Sequence, residues 1–277
     1  MSAQLIDGKV VADRIRQQIK ADVAQLVSQG KYPPGLGVIL VGDNPASRAY
    51  VTMKEKACAE AGIFSDERAM PKEASEAEVL GVIDEFNNNP RIHGILVQLP
   101  LPDHMNTERV LNAIIPEKDA DGFHPVNVGH LWTGLPGFVP CTPLGVMELI
   151  HSTGIQLKGK RAVVLGRSNI VGKPMAALLM AEHATITVCH SRTADLPGEC
   201  RNADVLVAAI GKAHMVKGDW VKPGSVVIDV GINRVTVDGK NKLVGDVDFE
   251  AAKEVAGYIT PVPGGVGPMT IAMLLKN

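Results

Sequence analysis

Tyr50 and Lys54 stand four residues apart in a stretch, Ala46 to Ala61, that reads as a helix closed by Gly62. That spacing puts both side chains on one face. Ala57 and Ala61 continue the same side with small residues, so the phenol and amine heads can project into a cleft. A lysine walled by apolar groups loses its proton more readily, because burial disfavours the ammonium. Such an amine can serve as a base. The same spacing also fits a lysine on a solvated helix face. Gln98 ends the apolar run Gly94-Ile95-Leu96-Val97, and ligands gather at strand ends in parallel α/β sheets. Its neutral amide both donates and accepts, toward a ligand or toward nearby backbone. Asp121 lies in Lys118-Asp119-Ala120-Asp121-Gly122-Phe123. Asp before Gly is ordinary turn chemistry. Such a carboxylate can also accept two parallel N–H bonds from a ring such as an aminopyrimidinone.

A second kind of chemistry is written in Val163-Val164-Leu165-Gly166-Arg167-Ser168-Asn169-Ile170-Val171-Gly172-Lys173-Pro174. A β-branched strand runs into a glycine-bounded loop, and a proline then opens an apolar helical run, Met175 to Met180. Proline suits a first helical turn, where its missing N–H would have no partner. The junction aims unpaired N–H groups and the positive end of a helix dipole at one point, a seat for a pyrophosphate. It departs from the pattern G-x-G-x-x-G. Ser168 stands at the second glycine and Gly172 comes one residue late, although the serine hydroxyl can donate. The strand Thr185–Cys189 follows at βαβ spacing and ends in His190-Ser191-Arg192-Thr193. An NAD site places a carboxylate about 20 residues past the loop to hold the ribose 2′-OH. Ser191 and Arg192 would instead bind a 2′-phosphate, and Arg167 adds a second positive charge. NADP is therefore expected over NAD. Arg192 also reads as a solvated surface charge.

The elements that must carry these residues alternate between strand and helix. Strands are expected at Leu36–Val41, Gly94–Gln98, Ala162–Leu165, Thr185–Cys189, Val205–Ala209 and Val226–Val230, with a further one around Leu243. Helices are expected over 1–20 (amphipathic), 76–87, 107–115 and 144–152. Residues 116–143 read as a loop-rich connection. Near-continuous apolar strands point to a mainly parallel sheet covered on both faces. Thr260-Pro261-Val262-Pro263-Gly264-Gly265-Val266-Gly267-Pro268 precedes a last helix from Met269. A loop so rich in Pro and Gly lets backbone approach a ligand rigidly, or acts as an interdomain strap.

The chain has 277 residues, enough for two modest α/β domains. Its net charge of −2 gives no bulk attraction to nucleic acid or anionic lipid. Aromatic residues make up 4%, too few for a base-stacking platform. No apolar run reaches membrane-span length. The start of the chain is too charged for a signal peptide. Cys58, Cys141, Cys189 and Cys200 form no C-x-x-C pair and read as reduced cytoplasmic thiols. The eight histidines show no ligand spacing, so no metal site is expected.

Taken together, the chain resembles the bifunctional methylenetetrahydrofolate dehydrogenase/methenyltetrahydrofolate cyclohydrolases over essentially its whole length. The resemblance rests on Ser47-Arg48-Ala49-Tyr50-Val51-Thr52-Met53-Lys54, on the run from Gly94 to Pro102, and on Lys118 to Phe123. It rests equally on Gly166-Arg167-Ser168, on Val188 to Thr193, and on Pro261 to Thr270. It implies an α/β folate-binding catalytic domain over 1–143 plus 262–277, with a C-terminal helix returning to it, and a Rossmann-like NADP domain over 144–261. It implies two reactions in one cleft. NADP⁺ takes a hydride from 5,10-methylenetetrahydrofolate, and water opens the methenyl cation to 10-formyltetrahydrofolate. This is one-carbon chemistry that supplies purine, histidine and methionine biosynthesis. Lys54 would be the main catalytic group, supported by Tyr50 and Gln98, with Asp121 holding the pterin. Gly166, Arg167, Ser168, Ser191, Arg192 and Ile232 would contact NADP. Val97, Leu99, Pro100, Pro263, Gly264 and Gly265 would join Tyr50, Lys54, Gln98 and Asp121 around the folate. The family implies a cytoplasmic homodimer. Three other readings compete: a single-activity dehydrogenase on this scaffold, an NADP/NADPH sensing module, and a shikimate-dehydrogenase-like oxidoreductase. The Tyr50, Lys54 and Gln98 set argues against the first, these three with Asp121 would have no purpose in the second, and no comparable motif set supports the third.

Overall fold

The computed structural model describes residues 2–237 and 240–277. The chain forms two compact units, one of residues 1–13 with 140–273 and the other of 14–139 with 274–277. In order, the chain runs β1 (Gln4–Leu5), α1 (Gly8–Ser28), β2 (Gly35–Val41), α2 (Pro45–Ala61), β3 (Phe64–Met70), α3 (Glu76–Asn88), β4 (Gly94–Val97), α4 (Thr107–Asn112) and α5 (Pro125–Thr133). It continues through α6 (Cys141–Ser152), β5 (Arg161–Leu165), α7 (Gly172–Ala181), β6 (Thr185–Cys189), α8 (Leu196–Arg201), β7 (Val205–Ala208) and β8 (Val226–Asp229). It closes with β9 (Asn233–Val237), β10 (Lys240–Val244), α9 (Phe249–Lys253), β11 (Tyr258–Ile259) and α10 (Val266–Lys276).

The smaller unit holds a three-stranded parallel sheet in the order β3-β2-β4. All seven residues of β2 are buried, as befits a central strand covered on both faces. Gly37 lets the Phe86 ring of α3 lie on that strand, since a Cβ there would come within 2.5 Å of the ring. Ile39, Val79, Ile83, Phe86, Ile95 and Val97 belong to the resulting core. The polar segment Phe64–Met70 gives no apolar alternation, and it becomes a strand by pairing along the whole of β2. Helix α5 lies where a loop was expected.

The larger unit carries a six-stranded sheet in the order β1-β11-β8-β7-β5-β6, parallel throughout. From β5 the chain passes to β6 on one side, then crosses to β7 on the other. The crevice outside the carboxyl ends of β5 and β7 is therefore a topological switch point, where such sheets bind ligands. Leu243 belongs to a separate antiparallel ribbon, β9 with β10, and not to the parallel sheet.

The expected helix over 1–20 is also corrected. Gln4 and Leu5 pair with Tyr258 and Ile259. The helix starts at Gly8, where Asp7 Oδ1 accepts from Lys9 N at 2.8 Å and Val10 N at 3.3 Å, and it runs on to Ser28. Residues 1–13 and 262–273 thus group with the larger sheet by their contacts, which differs from the folate-binding span of 1–143 plus 262–277 that the resemblance implies. A Cβ on Gly8 would lie 1.8 Å from Gly265 O, so these backbones are in direct contact. Only 274–277 join the smaller unit, where Asn277 Nδ2 donates to Ala120 O at 3.0 Å and Val139 O at 2.9 Å.

Candidate active site

Helix α2 builds the first constellation. Asn44 Oδ1 caps it by accepting from Ala46 N at 2.9 Å and Ser47 N at 3.2 Å, and Gly62 ends it at φ +78°. Ser47, Val51, Lys54, Ala57, Cys58 and Ala61 form its buried side. Lys54 is only 7% exposed, which excludes the solvated-face reading. Its Nζ donates to Gln98 Oε1 at 3.0 Å. Gln98 Nε2 donates in turn to Leu99 O at 2.7 Å, and Gln98 N to Ile39 O at 2.8 Å. Both ends of the amide are thereby committed, and its oxygen is held toward the lysine. Tyr50, half-buried one turn before Lys54, has its hydroxyl pKa raised by burial, so it stays a neutral phenol. Cys58 lies one turn after Lys54. Burial first, then the charge of Glu55, pushes its thiol up to about 11 against the opposing effect of Lys54. The face therefore sets one basic nitrogen among a neutral phenol, a neutral thiol and a neutral amide.

The turn that carries Asp121 is held from inside by Asp119, which the sequence reading passed over. Asp119 is buried. It accepts from Phe123 N at 3.2 Å, His124 N at 2.8 Å and Asn127 Nδ2 at 2.9 Å. Lys118 Nζ donates to the carbonyls of Phe86, Asn87 and Asn89 at 2.8–2.9 Å. These groups close the end of α3, and burial lowers the lysine's pKa. A parallel bridge between Ile95 and Asp119 lays the turn beside β4, the strand that leads into Gln98. Asp121 sits half-buried on this turn, before Gly122 at φ +70°. The Lys-Asp-Ala-Asp-Gly string marked a turn, but nothing in it said which aspartate would face inward. Val97 is 1% exposed and packs in the core, so it offers a ligand no surface, contrary to the expected folate contact. Leu99 is half-buried and Pro100 exposed.

In the larger unit, Gly166 has φ +117°, and a Cβ there would lie 2.2 Å from Ala209 O. A Cβ on Gly172 would lie 2.2 Å from Gly166 O. The loop is thus closed too tightly for any side chain at either end. Ser168 Oγ accepts from Val171 N at 3.1 Å and Gly172 N at 3.3 Å. The serine in place of a second glycine therefore closes the turn that leads into α7, and its own O–H remains available to donate outward. The helix begins at Gly172, so Pro174 falls in its first turn, at the third position. Gly166 N donates to Cys189 O at 2.9 Å, which stitches the loop to the end of β6. Ser191 and Arg192 follow there, both exposed. Their turn is closed by His190 N donating to Thr193 Oγ1 at 3.0 Å and Arg192 N to His190 Nδ1 at 3.1 Å. The structure thus brings Arg167, Ser168, Ser191 and Arg192 to one end of two adjacent strands. This cradle fits a pyrophosphate beside a phosphorylated ribose. Ile232, after β8, is 51% exposed. Pro263, Gly264 and Gly265 precede α10, with Gly264 at φ +108°. Among the described residues no group of three or more His, Cys, Asp or Glu could hold a metal ion. No helix among them is long and apolar enough to cross a membrane.

A parallel sheet with a glycine cradle at its switch point, together with a separate α/β unit built around a buried lysine, defines a two-domain NAD(P)-binding enzyme. Two family models match it: the tetrahydrofolate dehydrogenase/cyclohydrolase catalytic domain over residues 6–121 and the corresponding NAD(P)-binding domain over 140–277. The chain belongs to the tetrahydrofolate dehydrogenase/cyclohydrolase family. It is 60% identical to the bifunctional protein FolD of Pelobacter propionicus over 275 residues, covering 99% of this chain and 96% of that one. It is 58% identical to the bifunctional protein FolD of Moorella thermoacetica, covering 100% and 98%. Among solved structures it is similar to the bifunctional FolD methylenetetrahydrofolate dehydrogenase/cyclohydrolase of Campylobacter jejuni, at 50% identity and TM-score 0.95, covering 99% and 96%. It is also similar to the Trypanosoma brucei enzyme complexed with NADP cofactor and inhibitor, at 43% identity and TM-score 0.96, covering 100% and 96%.

Proposed function

We propose that this chain oxidises 5,10-methylenetetrahydrofolate with NADP⁺ and then hydrolyses the 5,10-methenyl product to 10-formyltetrahydrofolate. The observation that carries the reading is the buried Lys54 amine held by the neutral amide of Gln98. Bound NADP⁺ supplies the hydride acceptor for the first step. Lacking side chains, Gly166 and Gly172 would let the loop backbone come close to its pyrophosphate, and Ser191, Arg192 and Arg167 would hold its 2′-phosphate. Ile232, Pro263, Gly264 and Gly265 would shape the nicotinamide and folate ends. On the folate, Asp121 accepts N–H bonds from the pterin, while Leu99 and Pro100 line it. Oxidation then needs mainly alignment, since the substrate nitrogens share the positive charge left behind.

Hydrolysis needs proton movement. Water adds to the methenyl carbon and gives one proton to the Lys54 amine. That proton passes to N5 as the N5–carbon bond breaks, and the second water proton leaves as the formyl C=O forms. A neutral amine tolerates the methenyl cation, whereas an ammonium would repel it. Gln98 aims the amine without adding charge, and the Tyr50 phenol supports it through hydrogen bonding. The chain acts as a cytoplasmic homodimer in this reading.

A spectrophotometric assay with 5,10-methylenetetrahydrofolate tests both steps. With NADP⁺, methenyl absorbance should rise and decay, and NAD⁺ should serve poorly. A methenyl product that accumulates and decays no faster than in buffer would remove the hydrolase half. Size-exclusion chromatography with light scattering should give twice the monomer mass.

A further inference from the structure

Two buried carboxylates in the larger unit belong to none of the roles above. Asp246 is 0% exposed and Asp229 is 3% exposed. Asp246 Oδ2 accepts from Ile210 N at 2.6 Å and Gly211 N at 2.9 Å. Its Oδ1 accepts from Lys212 N at 2.8 Å and from Asn233 Nδ2 at 2.9 Å. Successive backbone N–H groups converging on one anion form a nest, the same device that holds phosphates. Gly211, at φ +74°, allows the turn. Here the anion is part of the chain.

Asp229, at the end of β8, holds Asp246 in place. Its Oδ1 accepts from Asp246 N and Gly231 N, and its Oδ2 from Val247 N, each at 2.9 Å. The neighbouring glycines are required by this packing. A Cβ on Gly245 would lie 1.8 Å from Asp229 Oδ2, and one on Gly231 would lie 2.3 Å from Asp246 Oδ1.

We propose that Asp246 is a positioning residue for the dinucleotide: it fills the nest at Ile210–Lys212 from inside, fixes the loop after β7, and leaves the loop after β5 as the seat of the pyrophosphate. The physical chain is short. The residue before the nest is Ala209, whose N donates to Leu165 O at 2.8 Å. Its carbonyl is the surface against which Gly166 turns, 2.2 Å from where a Cβ would stand. On its other side the same carboxylate holds Asn233 and abuts Gly231, the two residues that flank Ile232. One side chain thus sets both the floor of the glycine cradle and the loop that presents Ile232. An empty nest beside the cradle would compete for the cofactor's phosphates, and an occupied one does not. The inference rests on the reading of Gly166–Gly172 as the pyrophosphate seat.

Titration calorimetry on the full chain tests it, with NADP and adenosine 2′-monophosphate as ligands. The monophosphate engages the Ser191–Arg192 end but carries no pyrophosphate. In Asp246→Asn an NH₂ group faces backbone donors, and NADP should bind at least tenfold more weakly while the monophosphate changes less than twofold. In Asp246→Ala, added formate should fill the nest and recover most of the NADP affinity, and chloride at the same ionic strength should not. Equal weakening of both ligands, or unchanged NADP affinity, overturns the proposal. Wild-type chain that binds the monophosphate but gains nothing from the rest of NADP overturns the underlying seat as well. Should both variants fail to fold, amide exchange of the wild-type chain decides. Protection of Ile210, Gly211 and Lys212 that rises together with Gly166 on NADP binding supports the role. A rise at Gly166 alone overturns it.

Discussion

Replacing Lys54 by methionine isolates the proton-transfer role. Methionine nearly matches the lysine stem in length and carries no titratable group. Lys54 is 7% exposed and makes a 3.0 Å hydrogen bond to Gln98 Oε1. Breaking a hydrogen bond between neutral groups costs about 0.5–1.5 kcal/mol. Relief from burying the amine offsets part of that, so the fold should lose no more than about 1 kcal/mol. Removing a positioned acid–base group costs about 10²–10⁴ in rate, or about 3–5.5 kcal/mol of barrier. The kinetic loss therefore exceeds the stability loss and can be measured on folded protein. The decay of methenyl absorbance should slow by that factor. NADP affinity should stay within twofold, because Gly166, Arg167, Ser168, Ser191 and Arg192 belong to the other compact unit. Hydrolysis within tenfold of wild type would refute the role of the amine. A collapse of NADP affinity with an unchanged melting temperature would refute the separation of the two sites.

Arg192→Ala should weaken NADP several-fold and leave NAD within twofold, since only NADP carries the additional phosphate. Equal weakening in a paired binding titration would remove the 2′-phosphate role. Asp119→Asn turns an NH₂ toward the donors His124 N and Asn127 Nδ2 and loosens the Asp121 turn. The KM for the folate should rise about tenfold, with kcat less affected, at about 1.5–3 kcal/mol per charge-assisted bond lost. An unchanged KM would detach that turn from the folate. Burial outweighs three amide bonds at Asp229 and raises its pKa from 3.8 to about 7. A raised folded-state pKa means the stabilisation is complete below about pH 4 and is lost as pH rises through about 7. The span is on the order of 4 kcal/mol. Melting temperatures at pH 5 and pH 8 should converge in Asp229→Asn relative to wild type, and an identical pH dependence in both chains would count against it.

The inner parallel strands β2, β4, β5, β7 and β8 were legible because both faces are covered, which leaves continuous apolar runs such as Leu36–Val41 and Val205–Ala208. The glycine cradle was legible because its missing side chains have a steric cause that the pattern carries. Strand β3 was not legible, since Phe-Ser-Asp-Glu-Arg-Ala-Met is polar and only its pairing with β2 makes it extended. The two-residue strands β1 and β11 carry too little pattern to register, and so the helix expected from residue 1 begins at Gly8. Ser168 reads as a flaw in a glycine motif, and the geometry makes it the closure of the turn into α7.

Local order along the chain determined the Tyr50–Lys54 face, the cradle at Gly166–Gly172 and the family, because each depends on neighbours within a turn or two of helix or on contiguous strings of residues. Tertiary structure alone decided that Lys54 meets Gln98, 44 positions away, and that Asp246 gathers N–H groups 34–36 positions upstream. A lone aspartate beside a glycine has the same sequence signature whether it faces water or the interior. Burial and hydrogen-bond satisfaction are properties of packing, and they arise only when distant segments close around the group.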